Sequence, residues 1–165
     1  MRRICLIVCD VRSALNTGSL LRTADGLGVE KVYLCGITPY LPVKGDRRLP
    51  HVARRAAAQI SKTALGAEIS VNWDYIKDIK RAVDLVQQAG FTILALEQSP
   101  KSIDLASYHP PAAVALIVGN EVDGLPDEIL ALSDVRAEIP MLGQKESFNV
   151  ASAAAMGMYH LRFGS

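Results

Sequence analysis

The run Ile4-Cys5-Leu6-Ile7-Val8-Cys9, near the start of the chain, consists of six consecutive apolar residues. A run of this length without polar alternation is typical of a strand that is buried on both faces of a sheet. Asn16-Thr17-Gly18-Ser19 then offers helix-capping side chains, and apolar residues recur at helical spacing over 20–27 before a stop at Gly28. A buried strand followed by a helix predicts the first unit of a parallel sheet.

Strand and helix patterns alternate along the rest of the chain. Short apolar runs predict strands over residues 31–35, 67–71, 91–96, 113–118 and 135–139. Helical patterns lie between them, over residues 51–60, from a cap at Asp74 to Gly90, over 126–132 and over 149–161. The sequence therefore predicts an α/β fold in which a single domain, residues 1–165, forms a mostly parallel sheet with helices on both faces.

Composition excludes several classes of protein. Half of the 165 residues are hydrophobic and the mean hydropathy is +0.19, which excludes a disordered chain. The longest apolar run is too short to span a bilayer, and no cleavable leader is visible. The three cysteines lack CxxC spacing, which predicts buried free thiols in the cytoplasm. The three histidines are scattered, so we expect no metal site.

The formal net charge of +1 is unevenly distributed. Residues 1–62 contain 11 Lys and Arg against 4 Asp and Glu, whereas residues 63–165 contain 7 against 13. A basic face built from the first third of the chain is suited to a phosphate backbone, and a solvated face without a partner is the alternative. Part of this charge lies in residues 36–50, a proline- and glycine-rich segment of the kind that forms lids, binding loops or mobile connections.

Three loops carry residues able to bind a ligand or take part in a reaction, since ligands of parallel sheets bind beyond the carboxyl ends of the strands. In the first, Asn16 is a candidate helix cap, Gly18 permits close approach of another group, and Arg22 is placed to share an anion with the helix amino terminus. The second, residues 119–126, surrounds a carboxylate with two glycines. The third, residues 139–150, delivers Ser147 and Asn149 to the start of the last helix. For each loop the alternative is an ordinary turn or a capped helix.

Known nucleotide and hydrolase motifs are absent from these loops. Residues 119–126 do not match G-x-G-x-x-G, and residues 139–150 do not match the phosphate loop G-x-x-x-x-G-K-[ST]. The chain contains no G-x-S-x-G elbow, and its nine aromatic residues form no alternating pattern for base stacking.

Taken together, the three loops resemble the three signature motifs of the SpoU (TrmH) family of RNA ribose 2′-O-methyltransferases, within the SPOUT class. The matching patterns are Asn16-x-Gly18-x-x-x-Arg22, Gly119-x-Glu121-x-x-Gly124 and Ile139-Pro140-Met141-x-Gly143-x-x-x-Ser147-x-Asn149-Val150. The resemblance covers residues 4–161, as a catalytic domain without an added RNA-binding extension. Residues 63–67 also resemble the small-residue segment that precedes the family's middle strand.

The resemblance implies a C-terminal deep trefoil knot, S-adenosylmethionine as cofactor, and a homodimer whose active site combines residues of both chains. It implies transfer of a methyl group to a ribose 2′-hydroxyl of RNA, and the short length of the chain favours tRNA over rRNA. The catalytic residues it implies are Asn16, Arg22, Glu121, Ser147 and Asn149. The cofactor contacts it implies are Leu96, Gly119, Gly124, Ile139, Met141, Gly143 and Phe148. Phe148 departs from the family, which more often has Leu or Met there.

Arg22 is expected to hold the phosphate beside the target nucleotide and to lower the pKa of its hydroxyl. A role for Arg22 as general base is less favourable, because arginine stays protonated in proteins. RNA is expected to contact the basic residues Arg12, Arg22, Lys44, Arg47, Arg48, Arg54 and Arg55. Two alternatives remain: a knotted RNA-binding module without catalysis, and a flavodoxin-like oxidoreductase.

Overall fold

A computed structural model describes residues 1–120 and 122–164. The strands are β1 (Arg3–Cys9), β2 (Lys31–Cys35), β3 (Trp73–Ile76), β4 (Thr92–Leu96), β5 (Ile103–Asp104), β6 (Ala113–Val118) and β7 (Val135–Glu138). The helices are α1 (Ala14–Gly26), α2 (Pro50–Ala64), α3 (Ala67–Ser70), α4 (Ile79–Gln88), α5 (Asp127–Leu130) and α6 (Val150–Phe163), with a 3₁₀ turn at Leu105–Ser107.

The strands form one sheet in the order β3-β2-β1-β6-β4-β7-β5, and every pair of neighbours within it is parallel. The predicted α/β class is therefore confirmed. The apolar run of β1 is buried on both faces: Ile4, Leu6 and Val8 belong to a core beneath α1, α2 and α6. The alternate residues of β1 belong to a second core beneath α4 and α5.

The predicted segment 67–71 is wrong as a strand. Residues Ala67–Ser70 form α3, and the edge strand follows at Trp73–Ile76. Ile69 is 86% exposed while Ala67 and Val71 are buried, so the buried apolar residues of this run recur at the helical spacing of four. The helix expected to start at Asp74 starts at Ile79 instead, because Asp78 is the residue whose side chain accepts from the amide of Lys80.

Helices α1 and α2 pack closely through Gly18. A Cβ at this position would overlap Thr63 Oγ1 and the carbonyl oxygen of Ile60, and would lie 3.0 Å from the amide nitrogen of Ala64. The group that approaches Gly18 is therefore helix α2.

The carboxyl end of the chain is fastened to its beginning by two arginines. Arg162 donates to the carbonyl oxygens of Arg2, Leu27 and Gly28. Arg2 in turn donates to the carbonyl oxygen of Gly164 at 2.6 Å. These bonds hold α6 against the amino end of the sheet and leave its first turn at the opposite edge, where the carboxyl ends of the strands lie.

The three cysteines are buried free thiols, as predicted. All three side chains lie in the core beneath α4 and α5. Burial raises the pKa of Cys5, Cys9 and Cys35 to about 12, since a thiolate is poorly solvated there. No helix in the described part of the chain has the length and apolarity needed to cross a membrane.

Candidate active site

A cavity of about 350 Å³ lies where β4, β6 and β7 end. Leu96 and Val118 are register partners at the ends of β4 and β6, and Ile139 directly follows β7. The described lining residues are Leu96, Glu97, Gln98, Val118, Gly119, Asn120, Val122, Gly124, Ile139, Glu146, Ser147, Phe148, Val150 and Ala153. The second and third predicted loops therefore face one another across this cavity.

Most of the predicted cofactor contacts lie in the cavity wall. Leu96, Gly119, Gly124, Ile139 and Phe148 line it. Two predicted contacts, Met141 and Gly143, are not among the lining residues: Met141 is half-buried elsewhere in the loop, and Gly143 is exposed with open space around it.

The loop after β6 folds back on itself. The backbones of Asn120 and Gly124 exchange two hydrogen bonds, and Asn120 Oδ1 accepts from the amides of Val122 and Asp123. Gly124 has φ +68°, a left-handed backbone conformation that favours glycine in this turn. A Cβ on Gly119 would lie 2.6 Å from the carbonyl carbon of Gly124, so the two glycines allow the loop to close on itself. Glu121, one of the predicted catalytic residues, lies outside the described residues.

Glu97, which sequence reasoning missed, joins two walls of the cavity. One carboxylate oxygen accepts from the amide of Leu125 at 2.7 Å, and the other accepts from the amide of Gln98 at 3.1 Å. A Cβ on Gly124 would lie 2.6 Å from this carboxylate, so the second glycine of the loop also makes room for Glu97. The sequence did contain a signal for Glu97, because its carboxylate directly follows a predicted strand, at the edge of the sheet where ligands bind.

Asn16 and Asn149 connect the first and third loops. Asn149 Oδ1 accepts from the amides of Ala151 and Ser152, so Asn149 caps α6, as the alternative interpretation of the third loop expected. Its Nδ2 donates to Asn16 Oδ1 at 3.2 Å. The expectation that Asn16 caps α1 is wrong, since Ser13 is the cap and accepts from the amide of Asn16. Ser147 lies nearby in the cavity wall.

Arg22 lies away from the contact between Asn16 and Asn149. It is exposed on α1, six residues beyond Asn16 and so about 9 Å further along the helix axis. It is not one of the residues that line the cavity.

The loop after β1 is tied to both neighbouring loops. Asn120 Nδ2 donates to the carbonyl oxygen of Asp10 at 2.9 Å, and Arg12 pairs with Asp123 at 2.9 Å. Asp10 Oδ1 accepts from the amide of Ile37, in the loop after β2, at 2.9 Å. The carboxyl ends of β2, β1 and β6 therefore carry one connected surface.

The basic residues predicted to contact RNA divide into two groups. Arg12, Arg22, Lys44, Arg47, Arg54 and Arg55 are exposed. Arg48, by contrast, is half-buried and binds Asp46 and the carbonyl oxygens of Tyr40 and Leu41. Arg48 is therefore a poor phosphate ligand, because its guanidinium donors are already used within the protein. Among the described residues, no group of His, Cys, Asp and Glu is arranged to hold a metal ion.

The chain has relatives of known activity. A model of the SpoU rRNA Methylase family matches residues 3–159. The tRNA (guanosine(18)-2′-O)-methyltransferase of Borreliella burgdorferi is 28% identical over 152 residues, which cover 92% of this chain and 62% of that protein. The 23S rRNA (guanosine-2′-O-)-methyltransferase RlmB of Neisseria meningitidis is 31% identical over 157 residues, which cover 95% and 57%. This chain therefore spans about 60% of the length of these two relatives.

The fold also matches solved structures. An AdoMet-bound rRNA methyltransferase from Sinorhizobium meliloti aligns with a TM-score of 0.79 at 22% identity. The alignment covers 97% of this chain and 56% of that one.

Proposed function

The chain belongs to the SpoU rRNA methylase family, and from this premise we propose that it methylates a ribose 2′-hydroxyl of RNA with S-adenosylmethionine as methyl donor. The observation that carries the proposal is the cavity at the ends of β4, β6 and β7, where Ser147 faces the loop that contains Gly119 and Gly124. Membership of this family argues against the flavodoxin-like alternative.

The cavity fits the cofactor in size and in chemistry. A volume of about 350 Å³ lies within the usual range for small-molecule sites. Leu96, Ile139 and Phe148 offer apolar surface for a flat base, and Gly119 and Gly124 bring backbone to the cavity wall. The Glu97 carboxylate, held by two amides, is an acceptor for hydroxyl or ammonium groups. When bound, S-adenosylmethionine supplies an electrophilic methyl group.

The chain's own residues position the hydroxyl that is methylated. Ser147 and Asn149 orient it at the mouth of the cavity, and Asn16 holds the Asn149 amide in place. Glu121 is assigned to the same group through the family motif. The Arg22 guanidinium binds the adjoining phosphate and lowers the pKa of the hydroxyl, so that the hydroxyl proton passes more readily to solvent water. Positioning of this kind supplies much of the rate of an in-line methyl transfer.

A homodimer completes this site. Met156, Tyr159 and Phe163 are 37%, 61% and 64% exposed on one face of α6, and the two aromatic rings lie 4.9 Å apart. A cluster of large exposed apolar side chains is typical of a protein interface. Arg22 is not among the residues that line the cavity of its own chain, so we assign it to the cavity of the partner.

The substrate we favour is tRNA, bound along the exposed arginines of α1 and α2. The Borreliella burgdorferi relative is a tRNA methyltransferase, whereas the Neisseria meningitidis relative acts on 23S rRNA. We place this activity in the cytoplasm, where free thiols stay reduced.

We also infer that residues 1–165 act as one domain whose C-terminal part forms a trefoil knot. β7 follows β6 in the chain but lies on the far side of β4, so the connection between β6 and β7 passes over β4. The amide of Leu125 is bonded to Glu97 at this crossing. An experimental structure traced through residues 97–150 tests the threading.

The activity is tested by transfer of tritium from labelled S-adenosylmethionine to purified tRNA and rRNA. We expect incorporation into tRNA at a ribose 2′-oxygen, and its loss in Ser147→Ala. RNA binding without incorporation into either RNA would instead support the non-catalytic module. Arg22→Ala separates the two roles of this arginine: turnover near wild type with weaker RNA binding supports positioning and excludes the role of general base.

The shared site is tested at subsaturating RNA by mixing Arg22→Ala, which loses activity there through weaker RNA binding, with Ser147→Ala, which loses turnover. A mixed dimer has one site in which both residues are intact, so random exchange restores about a quarter of wild-type activity if the site combines both chains. No recovery, with exchange confirmed by mass spectrometry, would place both residues in one chain. A monomer in sedimentation at micromolar concentration would contradict the dimer itself.

A further inference from the structure

The segment between β2 and α2 is anchored by a stack of three side chains. The rings of Tyr40 and Tyr75 lie 3.8 Å apart at an interplanar angle of 15°. The guanidinium carbon of Arg48 lies 3.5 Å from the centroid of Tyr40. Both neighbours are at stacking distance, so they occupy opposite faces of Tyr40, and this ring has no free face for a nucleobase.

Hydrogen bonds fix each layer of the stack. The Arg48 guanidinium donates to both carboxylate oxygens of Asp46 and to the carbonyl oxygens of Tyr40 and Leu41. Tyr75 Oη donates to the carbonyl oxygen of Gly36 at 2.8 Å. Arg48 holds the pKa of Asp46 at about 2, so the pair stays ionised above about pH 4. Residues 36–49 therefore form an ordered segment, called the arm below, that is anchored on the edge strand β3.

Two cations remain exposed on this arm. Within residues 36–49 the charged side chains are Lys44, Asp46, Arg47 and Arg48. Asp46 and Arg48 neutralise each other, which leaves Lys44 and Arg47 exposed with a net charge of +2. A rigid arm carrying uncompensated positive charge suits a polyanion.

The arm begins beside the candidate active site. Thr38 Oγ1 accepts from the amide of Val11 at 3.1 Å, which joins the root of the arm to the loop after β1. β1 separates β2 from β6, whose end borders the cavity. With strands about 4.8 Å apart, the root of the arm lies about 10 Å from the cavity edge, within reach of the nucleotides that flank a bound ribose.

We propose that Lys44 and Arg47 form a preformed phosphate-binding arm for the RNA that flanks the methylated nucleotide, and that Arg48 is the positioning residue that holds the arm in shape. The inference rests on the proposed function, since RNA is the ligand. It assigns opposite roles to two adjacent arginines: Arg47 contacts the phosphate backbone, and Arg48 contacts only the protein.

Arg47→Ala and Arg48→Ala form a matched pair for the test. Binding of tRNA is followed by fluorescence anisotropy at several salt concentrations, and order of the arm is followed by tryptic cleavage after Lys44. Arg47→Ala weakens tRNA binding about three- to tenfold, and the slope of log K against log salt falls by about 0.7 to 0.9. Its tryptic cleavage after Lys44 stays at the wild-type rate.

Arg48→Ala accelerates cleavage after Lys44 at least tenfold. Arg48→Lys does the same, because an ammonium lacks the planar fork that stacks on Tyr40 and grips Asp46. The proposal is overturned if Arg48→Ala lowers the salt slope as Arg47→Ala does without faster cleavage, or if Lys44→Ala and Arg47→Ala leave tRNA binding unchanged. In the second case, retained methyl transfer by the wild type would show that the proposed function stands and that only the arm is wrong. Absence of methyl transfer by the wild type would be a failure of the proposed function.

Discussion

Replacing Gly18 with alanine places one methyl group at the closest contact between α1 and α2. The new Cβ overlaps the carbonyl oxygen of Ile60 and Thr63 Oγ1, and a backbone oxygen cannot rotate away. The helices must separate by about 1 Å to restore van der Waals distance. Overpacking of this kind costs about 1–3 kcal/mol, and the better helix propensity of alanine returns about 0.5–1 kcal/mol. We therefore expect a net loss of about 1–2 kcal/mol.

The matched control is Gly26→Ala, at the end of the same helix. A Cβ on Gly26 meets nothing within 4 Å, and its φ is not positive, so only the propensity gain of about 0.5 kcal/mol remains. For a chain of this length 1 kcal/mol corresponds to about 2–4 °C in Tm. Thermal unfolding followed by circular dichroism is then expected to show Gly18→Ala about 2–8 °C below wild type and Gly26→Ala slightly above it.

Two results would refute this reasoning. Gly18→Ala as stable as Gly26→Ala would show that α1 and α2 adjust without loss. Gly18→Ala with wild-type Tm and lost RNA binding would show that RNA, and not α2, is the group that approaches Gly18.

Three further perturbations test other parts of the structure. Glu97→Gln leaves one of two backbone amides without an acceptor, so we expect the Kd for S-adenosylmethionine in calorimetry to rise about tenfold. The control Glu146→Gln, on the exposed part of the cavity wall, changes this Kd less than twofold. Equal effects of the two variants would contradict the role assigned to Glu97. The folded protein keeps protons on thiols whose pKa is near 12, whereas the unfolded chain loses them near pH 8.5, so the free energy of unfolding falls as pH rises from about 9 to 12. Urea titrations measure this fall, which becomes shallower when the three cysteines are replaced by alanine. An identical fall in that variant would refute the role of the thiols. Arg162→Met abolishes three hydrogen bonds to backbone carbonyls and lowers the free energy of unfolding by about 2 kcal/mol, whereas a change below about 0.5 kcal/mol would show that these bonds do not fasten α6.

Local sequence predicted those parts of the fold that depend on local chemistry. Uninterrupted apolar runs indicated β1, β4 and β6 because strands in the middle of a parallel sheet must be apolar on both faces. The prediction of a strand over 67–71 was wrong because a short apolar run does not distinguish a strand from a turn of helix. The edge strand β3 escaped notice because Trp73–Ile76 is not buried on both faces, and its Tyr75 serves the stack with Tyr40.

The candidate site shows the same division. The order and spacing of the three loops indicated the family, and the capped helix at Asn149 was an alternative that local sequence already offered. Contacts between distant segments were decided only by the tertiary structure. Gly18 meets α2, Glu97 meets the amide of Leu125, and Arg48 stacks on a tyrosine paired with β3. The physical reason is that these contacts form only when the sheet brings residues distant in sequence together. No local sequence pattern therefore identifies the partner of a closely approached glycine, a hydrogen-bond acceptor or a stacked cation.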